Sequence, residues 1–215
     1  AQEILREIIS KAHADAKHDG ALSQFKSMVG LQRTSIGMFL DSILEQFREY
    51  ADAAAYSKAR QIIKVDLGDA DIIHTDTKQS HENIKFGVKK ILESNCIPVV
   101  LGGDHSINIP CINAFEDQEP IHIIQIDAHL DFVDERHGVR YGHGNPMRRA
   151  SEKDYVSGMT QIGIRNVSST AREGYVDAKK RGSKIFSVRQ LRNTGIDNIL
   201  KEIPKNKRYY LTIDI

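Results

Sequence analysis

Three ionisable side chains alternate along Asp127-Ala-His129-Leu-Asp131. In an extended segment, positions i, i+2 and i+4 project from one face, so Asp127, His129 and Asp131 are expected to converge. Such a group beside an apolar run repels or desolvates itself unless a positive charge sits among its members. A divalent metal is the simplest such charge; the plainer alternative is a polar strand end meeting solvent, with His129 as a surface histidine. His105 shifts the balance toward the metal. It follows Gly102 and Gly103, whose missing side chains are expected to let the backbone turn tightly beside a ligand. Asp214 lies at the end of a third apolar run. Together, His105, Asp127, His129, Asp131 and Asp214 offer two imidazoles and three carboxylates, more donors than one tetrahedral zinc takes. With no thiolate among them they suit two bridged hard ions, Mn2+ ahead of Zn2+. Two ions about 3.5–4 Å apart form a hydrolytic device, because they lower the pKa of a water held between them.

The elements that must position these residues follow from the hydrophobic pattern. Residues 1–16 have helical composition, and Ile36, Phe39, Leu40, Ile43, Leu44 and Phe47 recur at the three-and-four spacing of a second helix. Residues 61–68 (QIIKVDLG) read as a strand. Residues 78–95 read as a helix with Ile84, Val88, Ile91 and Leu92 on one face and Ser80 as its N-cap. The short runs 97–101 (IPVVL) and 121–126 (IHIIQI) suit strands buried on both faces. Between them, 107–116 is predicted helical, with Pro110 limiting where it begins. Further strands are predicted at 160–164, 184–188 and 208–214, and helices near 169–181 and 195–202. Strands alternating with helices imply an α/β fold with a mostly parallel sheet covered on both faces. Ligands of such sheets bind outside the carboxyl ends of the strands. His105 follows IPVVL, Asp127 follows IHIIQI and Asp214 lies in the last run, so three strands are expected to deliver the donors to one edge.

Bulk composition narrows the function classes. Thirty Lys+Arg against 29 Asp+Glu leaves a net charge of +1, which argues against a surface built for nucleic acid. No run approaches the roughly 18 apolar residues of a membrane span, and the opening AQEILREIIS is too charged for a signal peptide. Two cysteines, Cys96 and Cys111, make neither a disulfide framework nor a C-x-x-C zinc site, and read as small buried residues. The expectation is a soluble cytoplasmic domain acting on a small molecule, with no nucleic-acid or membrane partner.

Gly102-Gly-Asp-His-Ser106, Asp127-Ala-His-Leu-Asp131 and Thr212-Ile-Asp214 resemble three motifs of the ureohydrolases, the arginase and agmatinase family. Asp66-Leu-Gly-Asp69, His143-Gly-Asn-Pro146 and Gln161-Ile-Gly-Ile-Arg165 are weaker matches, and the wording looks closest to the agmatinase-like branch. The resemblance implies a three-layer αβα arginase-like fold and a centre of two Mn2+ per subunit. By it, His105 and Asp131 resemble ligands of one ion, His129 of the other, Asp127 a bridge, and Asp214 the first aspartate of the family's D-x-D. His143 resembles the histidine that passes a proton to the leaving amine. The implied reaction is hydrolysis of a guanidino compound, agmatine or similar, to urea and a primary amine, by a homo-oligomer (trimer or hexamer). A guanidino-acid hydrolase such as a guanidinobutyrase, or an arginase, is the alternative. The second aspartate of D-x-D would fall one position beyond Ile215, and the guanidinium-binding glutamate further on. The chain is therefore expected to be a single ureohydrolase domain incomplete at its C-terminus, with residues 1–60 a helical N-terminal region.

Several residues carry plainer readings. His74, His81 and His137 are expected to face solvent, and His122 to be a satisfied core histidine. Arg148, Arg149, Arg165 and Arg172 read as subunit contacts or a solvated face. The loop 132–141 (FVDERHGVRY) is expected to line the substrate pocket. Its Asp134 and Glu135 would favour an amine-tailed substrate, and its Arg136 and Arg140 a guanidino acid, through a bidentate carboxylate contact. Two rivals stand beside the hydrolase. A two-metal phosphoesterase fails on motif order and lacks a phosphate cradle, whereas a metal-poor assembly subunit is separated only by metal analysis.

Overall fold

The structure, a computed structural model, describes residues 67–205 and 207–214. The helices expected within 1–50 and most of the strand expected at 61–68 lie outside these residues. Helix α1 (Thr77–Glu93) turns Ile84, Val88 and Leu92 into the core. Its cap is Asp76, whose carboxylate accepts from the Gln79 amide at 2.9 Å, and not Ser80 as expected. Asp76 comes first, where the chain is still extended (φ −137°), whereas Ser80 is buried inside the helix and donates its hydroxyl to the Asp76 carbonyl at 2.9 Å.

A 3₁₀ turn (His105–Ile107) leads into α2 (Asn108–Asn113), where Pro110 occupies the first turn and its missing N–H costs no helical bond. The remaining elements are β1 (Ile121–Ile126), α3 (Pro146–Ala150), β2 (Val156–Ile164), α4 (Arg172–Lys180), β3 (Ser183–Ser187), α5 (Val188–Thr194), α6 (Ile196–Lys201) and β4 (Arg208–Ile213). β1 spans the predicted residues, and β2 starts four residues earlier than predicted. Helices α3 and α5 have no counterpart in the hydrophobic reading. They are set locally instead, by Pro146 at the first position of α3 and by a Ser187–Gln190 capping box on α5.

One predicted strand is overturned. Residues 97–101 form no strand, and Ile97, Val99, Val100 and Leu101 are exposed. An apolar run becomes a strand only when a ladder satisfies its backbone, and none of the described strands pairs with it.

The four described strands are all parallel, in the order β3-β2-β1-β4. This confirms the α/β class with a mostly parallel sheet. Ile121, Ile123, Leu130, Met147 and Ile112 centre the core. His122 lies within the sheet as expected, buried with Nε2 2.9 Å from the Thr160 hydroxyl. Cys111 is buried, while Cys96 is half-buried, contrary to expectation. No helix among the described residues is long and apolar enough to cross a membrane.

The strand order fixes where a ligand can lie. From β1 the chain moves outward through β2 to β3, then returns to place β4 on the other side of β1. The connections therefore diverge at the carboxyl ends of β1 and β4, opening the crevice in which parallel sheets bind ligands. Asp127 follows β1 and Asp214 follows β4, one on each side of it.

Candidate metal centre

His105, Asp127 and Asp131 place one ligand atom each within 4.8 Å of one another, and so do Asp127, His129 and Asp214. All five residues expected to converge are therefore brought together, with Asp127 common to both groups. Its two oxygens divide between them: Oδ2 lies 3.6 Å from His105 Nδ1, and Oδ1 lies 3.4 Å from His129 Nδ1. His105 Nδ1 lies 2.5 Å from Asp131 Oδ2 and 3.9 Å from Asp214 Oδ2.

The route to this convergence is not the extended alternation that the spacing suggested. After β1 the chain bends at Ala128 and His129, and the His129 amide donates to Asp127 Oδ1 at 2.7 Å. Asp131 then adopts φ +52°, in the left-handed region that aspartate tolerates better than most residues. Its carbonyl accepts the amides of Met147 and Arg148, which ties the bend to the start of α3.

The glycine pair before His105 also acts differently from expectation. Neither residue has positive φ, a Cβ on Gly103 would meet nothing within 4 Å, and one on Gly102 would meet the terminal methyl of Ile107, the movable end of a side chain. Asp104 anchors the turn by accepting the Ser106 amide at 2.7 Å. Burial pushes the Asp104 carboxyl upward, but the Ser106 bonds and the neighbouring His143 and His105 outweigh it and hold it below the usual range. His143 itself is exposed, in the turn preceding α3.

The electrostatics favour a cation. Burial pushes the His105 imidazole toward neutrality, yet Asp131, Asp127 and Asp214 overcome it and hold its pKa above the ordinary value. Burial likewise raises Asp131, and Asp127 adds to the rise against the pull of His105. The His105 shift reflects three carboxylates facing one imidazole, whereas the Asp131 rise is chiefly burial. Three carboxylates and two imidazoles, with no thiolate, form the donor set of a hard or borderline divalent ion, so the residues fit a pair of Mn2+. His105 also has the outer contact such a ligand needs, its Nε2 lying 3.2 Å from the Thr212 hydroxyl.

Three residues support the donors in a role the sequence did not reveal: Gln125, and Gln161 and Thr212, which open two of the motifs quoted above. Gln125 donates to Asp127 Oδ2 at 2.7 Å, and Gln161 donates to Gln125 Oε1 at 2.6 Å. The signal that could have found them is a polar residue inside an apolar run, one to three positions before its carboxyl end.

The loop after the bend is held by ion pairs. Arg148 and Arg149 are buried, which removes the solvated-face alternative for these two, whereas Arg165 and Arg172 are exposed. Arg149 pairs with Asp134 and, at 3.3 Å, with Glu152. Arg148 reaches Glu152 at 2.6 Å and Asp177 at 3.1 Å. Asn145 pins the loop by donating to the Val133 carbonyl at 2.7 Å. His74 and His137 are exposed as expected, while His81 is half-buried.

The hydrogen bond from Arg149, with help from Arg148 and Arg140, holds the Asp134 carboxyl below its usual range. A depressed folded-state pKa adds stability that is present above the unfolded value near 3.9 and lost as pH falls through the folded value. Asp134→Asn is therefore expected to cost about 1 kcal/mol at neutral pH, since Asp134 is half exposed and Arg149 keeps Glu152. It is also expected to flatten the fall of melting temperature below about pH 4. Thermal melts of both proteins between neutral pH and acid check this, and parallel curves would contradict it.

The chain belongs to the arginase family, whose family model matches residues 36–215. It is similar to the mitochondrial guanidino acid hydrolase of Homo sapiens, at 28% identity over 162 residues, covering 73% of this chain and 46% of that protein. Among solved structures, formimidoylglutamase from Bacillus subtilis superposes with a TM-score of 0.64 at 29% identity, over 72% of this chain and 51% of that one. The agmatine ureohydrolase of Thermoplasma volcanium gives a TM-score of 0.60 at 29% identity, over 70% of this chain and 50% of that one. The chain thus spans about half the length of the relatives it matches.

Proposed function

We propose that this chain carries the metal-binding part of a binuclear manganese ureohydrolase, which cleaves a guanidino compound to urea and a primary amine. The observation that carries this reading is Asp127, shared by two donor groups at the crevice between β1 and β4. His105 and Asp131 would hold one ion and His129 and Asp214 the other, with Asp127 between them. When bound, two such ions supply Lewis acidity and a water acidic enough to react at neutral pH.

The chain's own residues supply the rest. The carboxylates of Asp127, Asp131 and Asp214 make the crevice negative and so attract a guanidinium cation as well as the metals. His143, exposed beside the crevice-side residue Asp104, would pass a proton from a ring nitrogen to the leaving amine. Its replacement in His143→Asn is expected to lower kcat about 100-fold, with KM little changed. Steady-state kinetics checks this, and an unchanged kcat would remove His143 from the reaction.

Agmatine is the favoured substrate. Within the loop 132–141, Asp134 pairs with Arg149 and Arg140, and Arg136 donates to the Ser169 carbonyl. Glu135 is exposed and makes no ion pair among the described residues, which leaves a carboxylate available to an amine tail. The family reading also proposes a cytoplasmic homo-oligomer, trimeric or hexameric.

Urea release from agmatine, arginine and 4-guanidinobutyrate, with and without Mn2+, tests the reading on the complete chain. The expected result is Mn2+-dependent urea production, fastest with agmatine. No urea from any of them would contradict the reaction, and failure to take up Mn2+ as well would favour a non-catalytic assembly subunit.

A further inference from the structure

Gln125 and Gln161 face each other across β1 and β2, in register, and both are fully buried. Their neighbours Ile123, Ile124 and Ile162 show what the strand interior otherwise holds. Two primary amides in that setting cost free energy unless their hydrogen bonds are made. They are made in one direction. Gln161 Nε2 donates to Gln125 Oε1 at 2.6 Å and to the Leu130 carbonyl at 2.8 Å. Gln125 Nε2 in turn donates to Asp127 Oδ2 at 2.7 Å and to the His129 carbonyl at 3.3 Å. Turning Gln161 over would set its oxygen against two acceptor oxygens, so its orientation is forced, and its Oε1 accordingly has no partner. The series ends on the carboxylate oxygen that faces His105, while the other oxygen faces His129.

We propose that Gln125 and Gln161 are positioning residues: two buried amides in series that fix the Asp127 carboxylate with one oxygen toward each donor group. An amide suits this task because it donates to the ionised carboxylate without carrying charge that would compete with a metal. The same bonds grip the carbonyls of His129 and Leu130, so the relay also holds the bend that presents His129 and Asp131. The inference rests on the binuclear reading above.

Mn2+ binding to the complete chain tests it, followed by titration and by electron paramagnetic resonance, which distinguishes two exchange-coupled ions from isolated ones. Gln125→Met is expected to weaken Mn2+ affinity about 10- to 100-fold, and Gln161→Met toward the lower end of that range. The double variant Gln125→Met with Gln161→Met removes both amides together, and although the Asp127, His129 and Leu130 oxygens each lose a donor, no amide is left stranded, so its metal-free melting temperature is expected to fall no further than in the single variants. It should nevertheless lose affinity and the coupled signal. A merely structural role would leave a coupled pair at parental affinity in the protein that remains folded, whatever the melting temperature. Coupled ions at parental affinity in either single variant or the double variant would overturn the proposal alone. A parent chain that takes up no Mn2+ would overturn it together with the binuclear reading.

Discussion

Asp127→Asn is expected to abolish paired metal binding and to reduce urea release on the order of 10³-fold or more. The substitution conserves shape, so Leu130, Phe132 and the strands around them should stay packed. The effect comes from the carboxylate's two-sided contact: Oδ2 toward His105 and Oδ1 toward His129. An amide turned either way presents N–H donors to one group, and it removes the negative charge shared by both. Losing the several kcal/mol that metal ions contribute to charge stabilisation, at about 1.36 kcal/mol per tenfold, gives a rate loss of that size. Urea assays over a range of Mn2+ concentrations check it. A variant restored by excess Mn2+ to within tenfold of the parent would show that Asp127 is not common to two ions.

Gly163→Ala is expected to destabilise the fold by about 2–3 kcal/mol and to weaken Mn2+ binding, although Gly163 makes no side-chain contact with the donors. Gly163 has φ +91°, at the point where β2 slips its register against β3 between Ile162 and Ile164. An L-residue with positive φ costs roughly 1–2 kcal/mol. The new methyl would also lie 3.1 Å from the Asp127 carbonyl oxygen, with backbone on both sides and no flexible side chain to yield. Relief of that contact, about 1 kcal/mol more, has to move Asp127, whose amide is fixed to the Ile162 carbonyl at 3.0 Å. Denaturant unfolding and Mn2+ titration together check this. Parental stability with parental affinity would mean that the close approach of the Gly163 and Asp127 backbones carries no consequence.

Much of this architecture is legible before any coordinates. IHIIQI stands out because strands buried in a parallel sheet are continuously apolar, and the rule that ligands gather at the carboxyl edge places Asp127 and Asp214 together, although Tyr209, Leu211 and Ile213 of β4 are exposed. The run IPVVL looked equally strand-like, since apolarity records what a segment prefers and not whether a partner strand lies beside it. The donor set was readable from residue types, but its mechanism of assembly was not. Alternation suggested an extended presentation, whereas the bend at His129 and the positive φ of Asp131 deliver the side chains. Positive φ at a non-glycine residue leaves no mark in composition. The pairing of Gln125 with Gln161 escaped for the opposite reason: a single polar residue in an apolar run looks like noise until the register sets the two side by side.

The central claim is that Asp127 is shared by two ions in the β1–β4 crevice. Anomalous diffraction at the manganese edge, from crystals of the complete chain grown with Mn2+, tests it most directly. The expected result is a pair of peaks, one between Asp127, His105 and Asp131 and the other between Asp127, His129 and Asp214. A single peak away from Asp127, or none at all with the side chains in place, would contradict it.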